Sequence, residues 1–328
     1  MGILIAGIDE AGYGPLLGPL AVGTALLRVE GWSPGERAPN LWSLLSKAVS
    51  PTLKGASGRI VIADSKTLKL SNSGTRNPLT HLERGVLAVL ASAGDVPATD
   101  MALLERLATR FPPHACYAGE ALAVPMSCGG AEIAIAANVL RGAMEAGGVR
   151  LLGLGCRLIG EEEFNALVRD GHGKGATTIA AIRTHVRRLV ATLPKYPDDA
   201  VRVVCDRLGG RAAYSDVIES CMGESELESL EILEESEARS RYRTVVGGRE
   251  IGFVFQTESE SAYMPVALAS MVAKLCRELA MNRFNRHWCA SLPELTPTAG
   301  YWQDARRWLK DVGKGLSADD RRRLVRIA

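Results

Sequence analysis

Residues 7–19 read Gly-Ile-Asp-Glu-Ala-Gly-Tyr-Gly-Pro-Leu-Leu-Gly-Pro and continue an apolar run that starts at Ile3. The pattern predicts a strand that delivers two adjacent carboxylates, Asp9 and Glu10, to a tight turn. Neighbouring residues of a regular strand point to opposite faces, so one site receives both carboxylates only where the strand ends or bulges. The glycines after Glu10 permit either. Taken alone, an Asp-Glu pair more often marks a surface turn after an edge strand.

Two more acids follow predicted strands in the second half of the chain. The run from Val201 to Cys205 ends in Asp206, and the run from Ile251 to Gln256 leads to Glu260. A long helical stretch begins shortly after Glu260. Each run therefore carries an acid to a strand end or to a helix entry, as the first run does with Asp9.

Together these segments resemble the signatures of the type 2 ribonucleases H, the HII and HIII enzymes. In that family a strand ending in Asp-Glu-(Ala/Ser)-Gly-x-Gly begins a metal-dependent nuclease site. The string at 257–274 resembles the final signature of the family, in which an acid lies ten residues before a serine. Here these two residues are Glu260 and Ser270. The acid is usually Asp in the HII branch and Glu in the HIII branch, so this position favours HIII.

Two shorter motifs occur in the order that the family has them. Asp64-Ser65-Lys66 follows the apolar run that starts at Ile60, and it resembles the Asp-Ser-Lys motif of the family. Alone, such a tripeptide is typical of an ordinary turn and helix cap. Gly300-Tyr301 resembles the HII turn whose tyrosine stacks near the cleaved junction.

The resemblance covers roughly residues 3–71 and 156–312 and implies a ribonuclease H-like α/β fold with a central mixed sheet flanked by helices. We expect one catalytic domain over residues 1–328, with an insertion at about 72–155 and a helical C-terminal part at about 262–328. The alternation of strand-like and helical runs agrees with an α/β domain. The predicted strands are 3–8, 20–28, 60–63, 151–158, 201–205 and 251–256, and the predicted helices are 79–93, 131–147, 178–193 and 265–284.

The chemistry implied by the resemblance is hydrolysis of the RNA strand in an RNA/DNA hybrid, leaving a 3′-hydroxyl and a 5′-phosphate. Such hydrolysis uses two divalent cations about 4 Å apart, here Mg²⁺ or Mn²⁺. The implied catalytic residues and metal ligands are Asp9, Glu10, Asp206 and Glu260. The implied substrate contacts are Gly12, Tyr13, Gly14, Ser65, Lys66, Ser270, Lys274 and Tyr301.

Tyr13 departs from the family pattern. The family usually has Arg or Lys between the two glycines, where side chain and backbone read the 2′-hydroxyl and the adjoining phosphate. Tyrosine supplies no positive charge, although the glycine amides remain. Two alternatives therefore stay open: a divergent metal-dependent nuclease with altered nucleic-acid preference, and a non-catalytic nucleic-acid-binding module of the same fold. Acids at all four family positions argue against the second, because a binder gains nothing from a repulsive carboxylate cluster.

Composition limits the class of protein. The 328 residues are 47% hydrophobic and 5% aromatic, which is typical of a globular chain with a sizeable core. No stretch is long enough to span a membrane, and the start is too short for a signal peptide, so we expect a cytoplasmic protein. The 7 cysteines contain no Cys-x-x-Cys pair and are expected to be reduced thiols.

A formal net charge of +2 does not by itself indicate nucleic-acid binding. Basic residues do cluster near the C-terminus and on the helix after Glu260, which carries Lys274, Arg277, Arg283, Arg286 and His287. Such clusters usually mark a solvated helix face. Beside a carboxylate site they are suited to neutralising phosphates. We therefore expect a monomer with nucleic acid as its partner and no membrane association.

Overall fold

The computed structural model describes residues 1–33, 35–71, 74–171, 173–223 and 227–327. Its strands are β1 Gly2–Ala11, β2 Leu20–Glu30, β3 Val49–Ser50, β4 Ile60–Val61, β5 Val149–Ile159, β6 Ala200–Asp206, β7 Leu227–Glu235, β8 Arg239–Val246 and β9 Arg249–Gln256. Its helices are α1 Leu41–Leu44, α2 Ser65–Leu68, α3 Thr80–Ser92, α4 Asp100–Arg106, α5 Gly130–Ala146, α6 Glu161–Asp170, α7 Gly175–Val190, α8 Ser215–Met222, α9 Ser259–Ala262, α10 Met264–Ser291, α11 Trp302–Val312 and α12 Ala318–Leu324. Short 3₁₀ turns lie at Ala115–Tyr117, Leu193–Lys195 and Gly313–Gly315.

A mixed seven-stranded sheet in the order β5-β2-β1-β6-β9-β8-β7 forms the centre of the molecule. Strands β1, β6 and β9 are parallel neighbours, and the strands outside them pair antiparallel. The predicted architecture, a central mixed sheet flanked by helices, is confirmed. The sequence analysis missed the hairpin β7–β8. The predicted strand at 60–63 is not part of this sheet, because β4 pairs with β3 in a separate two-stranded sheet.

Both faces of β1 are buried because its apolar residues point alternately to the two sides of the sheet. Ile3 and Ile5 belong to a core shared with α10, α3 and α5. Leu4 and Ile8 belong to a second core that includes residues of α7 and α8. The apolar run that opens the chain is thus a central strand.

Helix α10 lies directly on the backbone of β1 and β2. A Cβ atom added at Gly7 would lie 2.2 Å from the Pro265 carbonyl carbon, and one at Gly23 would lie 2.1 Å from the Ala269 oxygen. Only glycine leaves room for this approach. Because α9 and Glu260 come just before α10, the same approach brings that acid toward the end of β1.

Residues 74–148 add helices to the side of the sheet on which α10 lies. α3 packs against α5 and α10, and apolar residues of all three share one core. The expected insertion, at about 72–155, overlaps the central sheet, since β5 begins at Val149. Its first two residues, Asn72 and Ser73, lie outside the described residues. Over the described ranges, no helix is long and apolar enough to cross a membrane.

The C-terminal helices pack on the far end of α10. Phe284, Trp288 and Trp308 form a buried aromatic cluster, with the rings of Phe284 and Trp308 centred 5.1 Å apart. The chain then returns to the N-terminal loop, where the Arg326 amide donates to the Leu16 carbonyl at 2.9 Å. The C-terminal tail therefore lies beside the loop that follows β1.

Candidate active site

The three parallel strands bring the acids to one edge of the sheet. Ile8 of β1 is paired with Cys205 of β6, so Asp9 and Asp206 are the next residues on neighbouring strands. Strand β9 ends beside them at Gln256, and Glu260 follows on α9. Parallel strands present their carboxyl ends together, which explains why acids far apart in sequence meet here.

Asp9 and Glu10 leave β1 on opposite faces. The pairing of β1 with β2 is regular through Ala11, opposite Ala21, without an end or a bulge at the acid pair. By alternation from Ile5, Asp9 shares the face that α10 covers, and Glu10 is on the other. β1 ends at Ala11, one residue after Glu10, so the chain leaves the strand beyond the acid pair and not between the two acids.

Burial and mutual repulsion perturb the first two acids. Burial raises the pKa of Asp9 well above its usual value, and the charges of Glu10 and Asp206 add to the rise, while a hydrogen bond with Ser270 opposes it. Burial also raises the pKa of Glu10 to about 7, and Asp206 adds to this effect. Two neighbouring carboxyls with raised pKa values repel each other when both are ionised, and a divalent cation between them would favour the ionised forms.

Glu260 and Lys66 face the same cluster. Burial raises the pKa of Glu260, and the charges of Asp206 and Asp64 add to the rise. Burial alone would lower the pKa of Lys66, but the surrounding carboxylates, Asp64 first among them, raise it above its usual value. Lys66 therefore keeps its charge beside the acids.

A cavity of about 480 Å³ opens beside Glu260 and Asp64. Asp64 caps α2 by accepting from the Lys66 amide at 3.0 Å, which directs the Lys66 side chain toward the acids. The cavity is walled by Trp42 and by the loop at 51–53. Larger cavities lie elsewhere on the molecule, so volume alone does not mark this site.

The donor set suits a hard divalent cation. All four acids offer oxygen, the ligand that Mg²⁺ and Mn²⁺ prefer. The Glu260 Oε2 atom is buried without a hydrogen-bond partner, and a bound cation would supply one. Among the described residues, however, no three His, Cys, Asp or Glu side chains are placed to hold one ion.

Two serine contacts tie the cluster to the surrounding helices. Ser259 donates to Asp206 Oδ1 from its amide at 3.3 Å and from its hydroxyl at 3.2 Å. The hydroxyls of Ser65 and Ser270 are 2.9 Å apart, and both residues are buried. Ser65 and Ser270 therefore join α2 to α10 behind the acids, out of reach of a large substrate.

The loop of Gly12, Tyr13 and Gly14 is held from behind by the C-terminal tail. The Arg326 guanidinium donates to the Gly12 carbonyl at 2.6 Å and to the Tyr13 carbonyl at 2.9 Å. Gly12 has a φ of 88°, a left-handed conformation that favours glycine. The Tyr13 side chain is 36% exposed, and no atom would obstruct a Cβ at Gly14. The loop thus presents an open outer surface.

Tyr301 is brought to this loop by backbone contacts. The Gly300 carbonyl accepts from the Leu16 amide at 2.9 Å. The Tyr301 ring is 47% exposed, and the Arg277 guanidinium lies 5.3 Å from its centre. Lys274 Nζ lies 5.9 Å from the same ring and 2.8 Å from a carboxylate oxygen of Glu278. Lys274 is therefore already paired.

The basic residues predicted on α10 do not form one solvated face. Arg283 is buried in an ion pair with Asp100, at 2.6 Å, and so cannot contact phosphate. Arg277 is also buried, beneath Gly12, where a Cβ would lie 2.3 Å from its Nε atom. Arg286 is exposed but donates to the Glu120 carbonyl at 2.6 Å. The helix was expected to expose these charges, but most of it lies inside the molecule.

Sequence analysis did not single out Arg326. Burial lowers its pKa to about 10, with the charge of Arg277 adding to the shift, and the ring of Phe164 lies 3.7 Å from its guanidinium carbon. In the sequence, Arg326 stands between two apolar residues, Val325 and Ile327. This local pattern does not predict a buried arginine, because the loop at 12–14 that accepts its hydrogen bonds is distant in sequence.

No family model matches the chain, and no curated protein matches its sequence. Solved structures of RNase HII and HIII are similar at low identity. A chain of the PCNA:RNase HII complex from Archaeoglobus fulgidus is 14% identical, with a TM-score of 0.42 over 99% of this chain and 94% of that one. The ribonuclease H2 of Pyrococcus horikoshii OT3 is 13% identical, with a TM-score of 0.41 over 95% and 88%. Bst-RNase HIII, solved in complex with Mn²⁺, is 12% identical, with a TM-score of 0.40 over 99% and 66%. At these values the likeness carries no argument about function.

Proposed function

We propose that this protein is a divergent type 2 ribonuclease H, a metal-dependent endonuclease that hydrolyses the RNA strand of RNA/DNA hybrids. The observation that carries the proposal is the meeting of Asp9 and Asp206 at the ends of neighbouring parallel strands, with Glu260 on α9 just after the third strand and the charges of Asp206 and Glu260 acting on Glu10. A purely structural role does not explain buried carboxylates that repel one another, because such a cluster destabilises the folded chain.

In the proposed mechanism Asp9, Glu10, Asp206 and Glu260 would hold two Mg²⁺ or Mn²⁺ ions, which would supply activation of the attacking water and stabilisation of the departing 3′ oxygen. Lys66 remains charged beside the acids and is suited to orienting the scissile phosphate. The outer surface of the loop at 12–14 offers backbone amides to the ribose. Tyr301, half exposed above Arg277, is suited to stacking on a base or sugar.

Three substrate contacts implied by the family resemblance take a different role in this proposal. Ser65 and Ser270 are buried and position the acids, since Ser270 bonds Asp9 and Ser65 bonds Ser270. Lys274 is paired with Glu278 and supports the Tyr301 ring. Direct contact with nucleic acid is assigned to the exposed side chains of Tyr13, Lys66 and Tyr301.

The test is cleavage of four labelled substrates, each with Mg²⁺ and with Mn²⁺: RNA/DNA hybrid, duplex DNA with one ribonucleotide, double-stranded RNA and plain DNA. We expect cleavage of substrates in which ribonucleotides pair with DNA, and 5′-phosphate ends on the products. Asp9→Asn and Asp206→Asn should each lower turnover by several orders of magnitude while hybrid binding is kept. Cleavage of plain DNA at an equal rate would favour a nuclease of altered preference, and binding without cleavage would favour a non-catalytic module.

A further inference from the structure

A second polar cavity lies on the part of the sheet that α10 leaves uncovered. Its volume is about 700 Å³, and its floor is formed by β6, β9 and β8. One wall is the loop at 35–40, and the other is Tyr263 at the start of α10. The lining includes arginines from the loop and from two of the strands: Arg37, Arg202, Arg239, Arg241 and Arg243. We call this feature the arginine groove.

Part of the positive charge in the arginine groove has no acidic partner. Arg243 is paired with Glu231 at 3.2 Å, and Arg239 is paired with Glu234 at 2.8 Å. Arg241 reaches Glu234 only at 4.0 Å. Arg202 has no ion pair with any described residue, although its side chain is partly buried. An anion that enters the groove would supply the missing partner.

The floor between the arginines is open. Gly252 of β9 is paired with both Arg202 and Arg243 on the strands beside it. A Cβ on Gly252 would meet only the Val201 oxygen, at 3.7 Å, so the space above it is empty. The guanidinium groups on either side therefore border a channel in which a phosphate can sit between them.

The arginine groove continues the acidic edge of the sheet. Arg202 and Asp206 lie on the same strand and, being four residues apart, on the same face, separated by about 13 Å along β6. On the opposite wall, Tyr263 comes three residues after Glu260. A strand held at the acids has its next phosphates within reach of Arg202 and Arg241.

We propose that the arginine groove binds the backbone phosphates of a nucleic-acid strand that extends from the acidic cluster. The inference rests on the proposed function, which supplies the strand. A row of guanidinium groups along neighbouring strands, open to solvent, suits a polymer with regularly spaced charges better than one small anion. Tyr263 adds an aromatic wall for a sugar or base.

The experiment measures binding of a fluorescein-labelled RNA/DNA hybrid in EDTA, where no cleavage occurs, over a range of salt concentrations. Arg202→Gln with Arg241→Gln is compared with Arg150→Gln and Arg169→Gln, two exposed arginines with no ion pair in the described structure that lie outside the groove. We expect the groove variant to bind at least tenfold more weakly at low salt. Its slope of log K against log salt should fall by about 0.9 for each phosphate that the variant no longer neutralises. Binding equal to the control pair would overturn the proposal.

Two further arms keep the test decisive. Arg241→Glu changes a single exposed residue, so it preserves the fold even if the double variant does not, and it should weaken hybrid binding more than Arg169→Glu does. Poly-glutamate of equal charge should compete poorly, and equal competition would overturn the assignment to nucleic acid. Cleavage in Mg²⁺ is measured separately. If the wild-type protein cleaves the hybrid and the groove variant binds it as tightly as the wild type does, the groove proposal alone is refuted. If the groove variant binds more weakly but the wild-type protein cleaves nothing, the nuclease proposal alone is refuted.

Discussion

At the residue scale, the unusual group is Glu10, a carboxyl whose pKa is raised from 4.5 to about 7 by burial and by the charges of Asp206 and Glu260. A folded state that holds a proton more tightly than the unfolded state loses stability as pH rises. The loss begins near pH 4.5, where the unfolded chain ionises, and is complete above about pH 7, where the folded chain does too.

Glu10→Gln should therefore raise the free energy of unfolding of the metal-free protein more at pH 8 than at pH 4. The difference between the two effects should be about 3 kcal/mol, which is what the pKa shift of Glu10 implies. Urea unfolding in EDTA at several pH values measures the difference between the two proteins. The pKa of His185 is lowered to about 4 by burial, which stabilises the protein as pH rises, but this contribution is the same in both proteins and cancels. A difference that is constant across pH would contradict the assignment.

A substitution at Tyr13 tests which part of the loop at 12–14 recognises the ribose. The side chain is 36% exposed, so Tyr13→Arg should fold normally. If the glycine backbone does most of the recognition, the variant should bind hybrid more tightly and gain about 0.9 in salt slope, with its preference for RNA/DNA over DNA unchanged. Ile135→Arg, at a 66% exposed position of α5, controls for added charge. The appearance of ribose preference only in Tyr13→Arg would instead identify the tyrosine as a change of specificity.

At the element scale, the approach of α10 to β1 and β2 positions α9, and with it Glu260, against β6 beside Asp206. Gly23→Ala would place a methyl group 2.1 Å from the Ala269 oxygen, a contact that the helix relieves only by moving away. We expect a loss of about 2–3 kcal/mol in the free energy of unfolding and lower turnover. Gly153→Ala on β5, where no atom lies within 4 Å, is the matched control and should be close to neutral. Equal unfolding free energies for both variants would show that the helix does not depend on this contact.

For helix α10, the sequence predicted the helix itself better than it predicted which of its side chains face solvent. Its existence follows from a long run of good helix formers, and the predicted span of 265–284 falls inside the observed Met264–Ser291. Most of the helix is buried, so Arg277 and Arg283 lie inside the molecule, while Arg286 is exposed. Arg283 instead pairs with Asp100 of α4, a partner 183 residues away that no local pattern could identify.

At the scale of the whole molecule, the chain closes on itself at the loop after β1. Arg326 donates to the carbonyls of Gly12 and Tyr13, which lie more than 300 residues earlier in the sequence. These carbonyls would lose their partners in Arg326→Gln, so we expect about 2–4 kcal/mol less stability and weaker hybrid binding. Arg323→Gln, which breaks exposed ion pairs with Glu162 and Asp319, should change stability by less than about 1 kcal/mol. Thermal unfolding and hybrid binding are measured for both variants. Equal stability and equal affinity of the two variants would mean that the C-terminal tail does not support the loop.

The local structure of the chain follows from its amino-acid pattern. Apolar runs ended by acids or glycines predicted β1, β2, β5, β6 and β9, and periodicity predicted the longer helices, because strand and helix periods depend on near neighbours in the chain. The hairpin β7–β8 was not predicted, because its first strand is largely polar and exposed and so lacks an apolar run. Which acids belong together was predicted from family motifs, and their roles in metal binding and catalysis stay a prediction.

Only the tertiary structure decided which charges are free to act. The parallel order of β1, β6 and β9 brings Asp9 beside Asp206, and no local pattern specifies which strands become neighbours. The same packing buries Arg277 and Arg283, ties Arg326 to the first loop, and leaves Arg202 beside an open channel. The physical reason is that the cost of burying a charge depends on its surroundings in three dimensions, which contacts between distant residues create.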